Sequence, residues 1–220
     1  MRYAILIDGG FIKKKLGSQE QPLTAKVVSA FLKSLQSHEA LETNTLHRIY
    51  WYDAPPLTDK IRKPLNGGTL DLGRSALAEA NTSLFESLRK ESFFSLRSGE
   101  VVHRGWKVRP DVLPDNQHEA RITADDIVPN IQQKGVDMRL GLDIASLTLK
   151  SHADIIVLVT GDSDFVPALK FARREGAQIF LVPLGHHLRP EMTEHSDLII
   201  NIFDLGFEKL TRRTALRPGK

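Results

Sequence analysis

Residues 155–165 read Ile155-Ile156-Val157-Leu158-Val159-Thr160-Gly161-Asp162-Ser163-Asp164-Phe165. The first five are aliphatic with no polar alternation, the pattern of a strand covered on both faces, as in a parallel sheet. Glycine and two aspartates then break the strand. A helix is expected from about Asp164, with Phe165, Leu169 and Ala172 on its apolar side and Gly176 as its stop. The turn therefore puts two carboxylates at the carboxyl end of a buried strand, where open parallel sheets bind their ligands.

Working outward, Tyr3 to Ile7 is another short apolar run, and Asp8 ends it. Thr24 is placed to cap a helix in which Val27, Val28, Phe31, Leu32 and Leu35 recur on one face. Leu46 to Tyr52 reads as a strand, closed by Asp53-Ala54-Pro55-Pro56, which continues neither strand nor helix. Further strands are expected at Ile179–Val182 and Leu198–Ile200. Buried strands separated by helix-length segments predict an α/β fold, and right-handed crossovers place helices on both faces of a parallel sheet.

The stretch 58–133 is less regular. Leu77, Leu84, Phe85 and Leu88 predict one amphipathic helix. Val101-Val102 and Trp106-Lys107-Val108, separated by His103-Arg104-Gly105, predict a hairpin. Residues 110–130 are polar and proline-bearing, and read as a long loop or lid. The expected organisation is one domain over 1–203 with an insertion at about 58–133, followed by a basic tail, 204–220.

At 220 residues, 41% hydrophobic and 26% charged, the chain can build one buried core and has the composition of a globular protein. No apolar run approaches the roughly 18 residues of a membrane span. The leading apolar segment is too short for a secretory signal and lacks a small-residue cleavage site, and the absence of cysteine fits a cytoplasmic setting. With no cysteine, disulfides, thiolate zinc sites and cysteine nucleophiles are excluded. The net charge of +3 permits nucleic-acid binding without pointing to it. What counts is clustering, since phosphate attraction is local. Two clusters stand out, Lys13-Lys14-Lys15 and the tail set Lys209, Arg212, Arg213, Arg217 and Lys220. Such runs are more often solvated faces than binding surfaces.

Acids carry more information. Asp8 ends one strand, Asp162 and Asp164 follow another, and Asp137 begins a helix in Lys134-Gly135-Val136-Asp137. Any one of them alone is best read as a helix cap. Three or four carboxylates brought to one sheet edge repel each other unless a cation neutralises them. Magnesium suits such oxygen ligands and keeps part of its water shell. Asp143 lies about 600° round the helix from Asp137 and cannot share its face.

Ile5-Leu6-Ile7-Asp8-Gly9-Gly10, Lys134-Gly135-Val136-Asp137 with Asp143 downstream, and Val159-Thr160-Gly161-Asp162-Ser163-Asp164-Phe165 together resemble the NYN domain. This family has a PIN-like fold and includes the LabA-type bacterial proteins. The likeness covers roughly 1–54 and 134–203. It implies a PIN-like, Rossmann-like parallel sheet sandwiched between helices, and a Mg²⁺- or Mn²⁺-dependent nuclease cutting RNA ahead of DNA. By position Asp8, Asp137, Asp162 and Asp164 become the catalytic and metal-site carboxylates, with Asp143, Asp197 and Ser163 in support. Substrate contacts are expected from Lys13, Lys14, Arg104, Lys107, Arg109 and Lys134, and a homo-oligomer is compatible with the pattern. Many members carry asparagine three residues after the first aspartate; here Phe11 stands there.

Other chemistries fit less well. An aspartate-nucleophile phosphatase needs a second aspartate two residues after the first, and Gly10 occupies that position. A dinucleotide fold needs Gly-x-Gly-x-x-Gly after the first strand, which Asp8-Gly9-Gly10-Phe11 does not supply. His186, His187, Glu191, Glu194 and His195 lack a zinc spacing. The serious rival keeps the fold without catalysis, as an RNA- or protein-binding regulatory module.

Overall fold

The computed structural model describes residues 1–201 apart from Pro114 and Gln117. The chain runs β1 (Arg2–Asp8), α1 (Gly9–Leu16), α2 (Ala25–Gln36), β2 (Thr45–Asp53), β3 (Lys60–Arg62), β4 (Thr69–Asp71), α3 (Ala76–Leu88) and β5 (Phe94–Ser98). It continues with β6 (Glu100–Val108), β7 (Ile127–Lys134), α4 (Val136–Leu149), β8 (Ile155–Val159), α5 (Val166–Arg174), β9 (Gln178–Leu181), α6 (Pro190–Glu194) and β10 (Leu198–Ile199). No helix among the described residues is long and apolar enough to cross a membrane.

Six of these strands form one sheet in the order β10-β9-β8-β1-β2-β5, every pair parallel. Two windings leave β1 in opposite directions, one through β2 to β5 and the other through β8 to β10. The order reverses between β1 and β8, and beyond the carboxyl ends of those strands lies the crevice in which such sheets bind ligands.

Alternate residues of each central strand feed two cores. Ile5, Ile7, Trp51 and Val157 meet Phe31, Leu35 and Leu88 of α2 and α3 on one face. Leu6, Tyr52, Ile156 and Leu158 meet Leu140, Ile144 and Leu169 of α4 and α5 on the other. Burying one such side chain contributes roughly 1.5–3 kcal/mol, and this two-sided demand makes the strands continuously apolar. The capping prediction holds at α2, where the Thr24 hydroxyl accepts from Val27 N at 3.4 Å.

The middle of the chain departs from expectation in four places. Val101 to Val108 lie on a single strand, β6, whose antiparallel partner is β7. The reversal expected at His103-Arg104-Gly105 is instead a register shift between His103 and Trp106, with Gly105 at φ +81°. A tight hairpin of the favoured type needs two residues at positive φ, whereas one left-handed glycine makes a bulge. Residues 127–130, expected in the loop, begin β7. Finally, β5 joins the main sheet beside β2. The 58–133 segment thus contributes α3 and β5 to the sheet's own winding, and the β3–β4 and β6–β7 ribbons lie outside it. Leu77, expected on the buried face of α3, is 48% exposed.

Candidate active site

Asp8 is delivered by two local facts. It is the last residue of β1, and it is also the N-cap of α1, its Oδ1 accepting from Phe11 N at 3.0 Å. Its Oδ2 accepts from the Thr160 hydroxyl at 3.1 Å. Thr160 is fully buried at the end of β8, and its Oγ1 also accepts from Asp162 N at 3.2 Å. One hydroxyl therefore links the two strands that flank the switch point. Asp162 Oδ1 accepts from Asp164 N at 2.9 Å and caps the single turn, Ser163–Phe165, that leads into α5. Asp137 enters on the first turn of α4, which Gly135 opens at φ +71°.

Electrostatics tie these four acids together. Burial pushes the Asp8 carboxyl above the ordinary range. The hydrogen bonds from Phe11 and Thr160 pull it back in part, and the charges of Asp137 and Asp162 push it up again. Asp137 is raised by desolvation and by the charges of Asp162 and Asp164. Each acid thus acts on, or feels, at least one other. Their repulsion is a charge deficit at the sheet edge that a cation relieves.

A fifth acid, Asp53, ends β2, where the sequence shows only the close of a strand. It is 2% exposed. Its Oδ1 accepts from Ala54 N at 2.8 Å and from Gln133 Nε2 at 3.1 Å. Lys13 Nζ lies 2.8 Å from its Oδ2. The first turn of α1 presses on this group: a Cβ on Gly9 would sit 2.7 Å from Asp53 Cβ and 2.8 Å from Trp51 Nε1.

The family model of the NYN domain matches residues 2–202. The chain belongs to the NYN family. NYN domains are generally nucleases that depend on divalent metal, and their fold is PIN-like. An uncharacterized protein of Methanocaldococcus jannaschii is 28% identical over 88 residues, a match covering 39% of this chain but only 37% of that protein's length. A crystal structure of a Vibrio parahaemolyticus protein of unknown function superposes with a TM-score of 0.51 at 12% identity, over 91% of this chain and 92% of that one. At that identity it speaks for the fold alone.

The remaining expected site residues of this NYN chain scatter. Asp143 faces away from Asp137, as the helical spacing requires, and its Oδ2 accepts from Tyr52 Oη and Arg97 Nε, both at 2.8 Å. It ties α4 to β2 and β5. Asp197 accepts from Ile179 N at 2.7 Å and pairs with Arg173 at 3.1 Å. Ile179 is near the start of β9, so Asp197 holds the amino edge of the sheet, opposite the acids. Ser163 lies between Asp162 and Asp164 in the short turn.

The cations do not form one surface either. Lys13 is committed to Asp53, and the Arg109 guanidinium forks onto Asp111 at 3.2 and 2.7 Å. Lys14 on α1 is exposed, and so is Lys134, three residues before Asp137 and opposite Glu100 at the base of the β6–β7 ribbon. Exposed Arg104 and Lys107 lie further out, Lys107 roughly 25 Å along the ribbon from that base. The tail cations fall outside the described residues. Phe11 packs edge-on to the His186 ring at 5.8 Å. Both rings abut Gly161, whose absent side chain leaves them room: a Cβ there would lie 2.9 Å from Phe11 Cε2.

Among the described residues no three acids or histidines are close enough to share one ion directly. The donor set nevertheless fits a hard, well-hydrated cation. Magnesium binds through one or two carboxylates and reaches further groups through its water, and every donor here is a carboxylate oxygen.

Proposed function

We propose that this NYN domain is a Mg²⁺- or Mn²⁺-dependent nuclease that hydrolyses phosphodiester bonds in RNA ahead of DNA, with Asp8, Asp137, Asp162 and Asp164 as its working carboxylates. The observation that carries this is the placement of Asp8 at the switch point, the last residue of β1, joined through Thr160 to the Asp162 turn and facing the charges of Asp137 and Asp162. Asp8 and Asp162 are held in mutual register by Thr160, so their free lone pairs are fixed before substrate arrives. Asp137 and Asp164, both exposed, border the opening and orient water. When bound, a divalent cation supplies charge neutralisation at the phosphodiester and acidifies the attacking water. Lys14 and Lys134 supply positive charge for the incoming backbone.

Labelled single-stranded and structured RNA, and matching DNA, incubated with Mg²⁺, Mn²⁺ or EDTA, test this. Cleavage should require metal and disappear in Asp162→Asn; equal activity in both proteins overturns the assignment. One observation favours the non-catalytic alternative. The Phe11 ring, packed on His186, stands where many relatives place an amide that would orient water or substrate. RNA binding without metal-dependent cleavage would support that second reading.

A further inference from the structure

Next to the acids, and separated from them by Gln133, a groove of about 330 Å³ opens between the end of β2, the start of α3 and the base of the β6–β7 ribbon. Leu77, Val101 and Ile131 line it with apolar surface, and Lys13, Asn81 and Gln133 add polar groups. Leu77 and Ile131 are 48% and 44% exposed. Single exposed apolar residues are ordinary, but two on separate elements lining one concavity make a surface for an apolar occupant.

The polar groups are held in advance. Asp53, almost wholly buried, takes the Gln133 amide at 3.1 Å and the Lys13 ammonium at 2.8 Å. Gln133 thereby keeps its Oε1 facing Gly10, on which a Cβ would lie 3.9 Å from that oxygen and 3.4 Å from Asp8 Oδ1. The groove thus begins one glycine's width from the first acid. Its volume is at the lower end of ligand pockets, roughly 300–1,000 Å³, enough for one nucleoside and too small for stacked base pairs.

An occupant must have apolar faces, a polar edge for an amide and an ammonium, and a tether that reaches a phosphodiester beside Asp8. We infer that the groove takes one unpaired nucleobase of the strand being cut, adjacent to the bond at the acids, and that Leu77 and Ile131 select single strands over duplex. The inference uses the nuclease reading only for where the strand lies.

Binding in EDTA separates the two ideas, because nothing is cleaved. Fluorescence anisotropy of a labelled single-stranded RNA octamer, intact or with one abasic position walked along it, is compared between wild type and Leu77→Ser/Ile131→Ser. Both positions are exposed, and a thermal melt confirms that the variant is folded. The variant should bind the intact octamer about tenfold more weakly, about 1.4 kcal/mol, with its weaker duplex binding unchanged. One abasic position should cost wild type a similar factor and the variant nothing further, the signature of coupled partners. Equal octamer affinity in the two proteins overturns the pocket and leaves the groove to a protein segment. Abasic and variant losses that add also overturn it, since the base then sits elsewhere. A tenfold loss in a protein that never cleaves RNA keeps the pocket and sinks the nuclease.

Discussion

Asparagine in place of Asp162 keeps the oxygen that accepts from Asp164 N and removes only the charge. Asparagine and aspartate are comparable N-caps, so the turn survives. The lost charge is one that raises both Asp8 and Asp137. A pair of unit charges 4 Å apart interacts by about 1 kcal/mol in water and more when partly buried. Asp162 and Asp137 are exposed, and solvent screening holds the total relief to roughly 0.5–1 kcal/mol. For a domain of this size 1 kcal/mol is worth about 2–4 °C of Tm. The metal-free variant should therefore melt about 1–4 °C above wild type. Magnesium reverses the order. At a hundred times its Kd an ion adds about 2.7 kcal/mol, or about 5–11 °C, to wild type, and the variant should forfeit most of that. Melts followed by circular dichroism in EDTA and across a Mg²⁺ titration give both numbers. A variant destabilised in EDTA yet raised by magnesium as much as wild type would show that Asp162 is only a cap, and the metal argument would fail.

Asp53→Ala strands the Ala54 amide, the Gln133 amide and the Lys13 ammonium; we expect a loss of about 2–4 kcal/mol by urea unfolding, below the upper range for buried pairs because Lys13 is part-exposed. Gly161→Ala drives a methyl into the Phe11 and His186 rings and should cost about 1–3 kcal/mol, and a Tm equal to wild type would mean the two rings are free to move. His47 is held below its ordinary pKa near 6.5, first by burial and then by the charges of His152, Arg48 and Arg2. Its folded pKa lies below its unfolded one, so protonation favours unfolding: the penalty is absent above pH 6.5 and grows as pH falls toward the folded pKa. His47→Gln should shrink the fall in Tm between about pH 7 and pH 5, and equal slopes in the two proteins refute the assignment.

The parallel sheet was legible because buried strands must be apolar on both faces, and β1, β2, β8 and β9 are. β5 was not: Phe94 and Leu96 alternate with polar residues, as an edge strand half-covered by its neighbours permits. The β6–β7 pairing spans an 18-residue connection (109–126), and no local pattern specifies a partner so far along the chain. Asp8 and Asp162 announced themselves by ending apolar strands. Asp53 also ends an apolar strand, but Pro55-Pro56 stop that strand by themselves, so the sequence does not single it out. Thr160 and Gln133 matter only through what they touch in three dimensions. The spread of the expected cationic contacts has a related reason. Sequence shows where cations are, whereas the fold gives Lys13 to Asp53 and Arg109 to Asp111.

The Thr160 hydroxyl has a single proton, and it gives it to Asp8 while receiving the Asp162 N–H. That bond has a direction. β1 is the acceptor, β8 carries the relay, and the turn beyond depends on both, so losing the proton's destination also loosens the group that feeds it. Valine at position 160 keeps the volume and erases the relay, and two acids 154 residues apart in the chain would then be indexed to each other by packing alone.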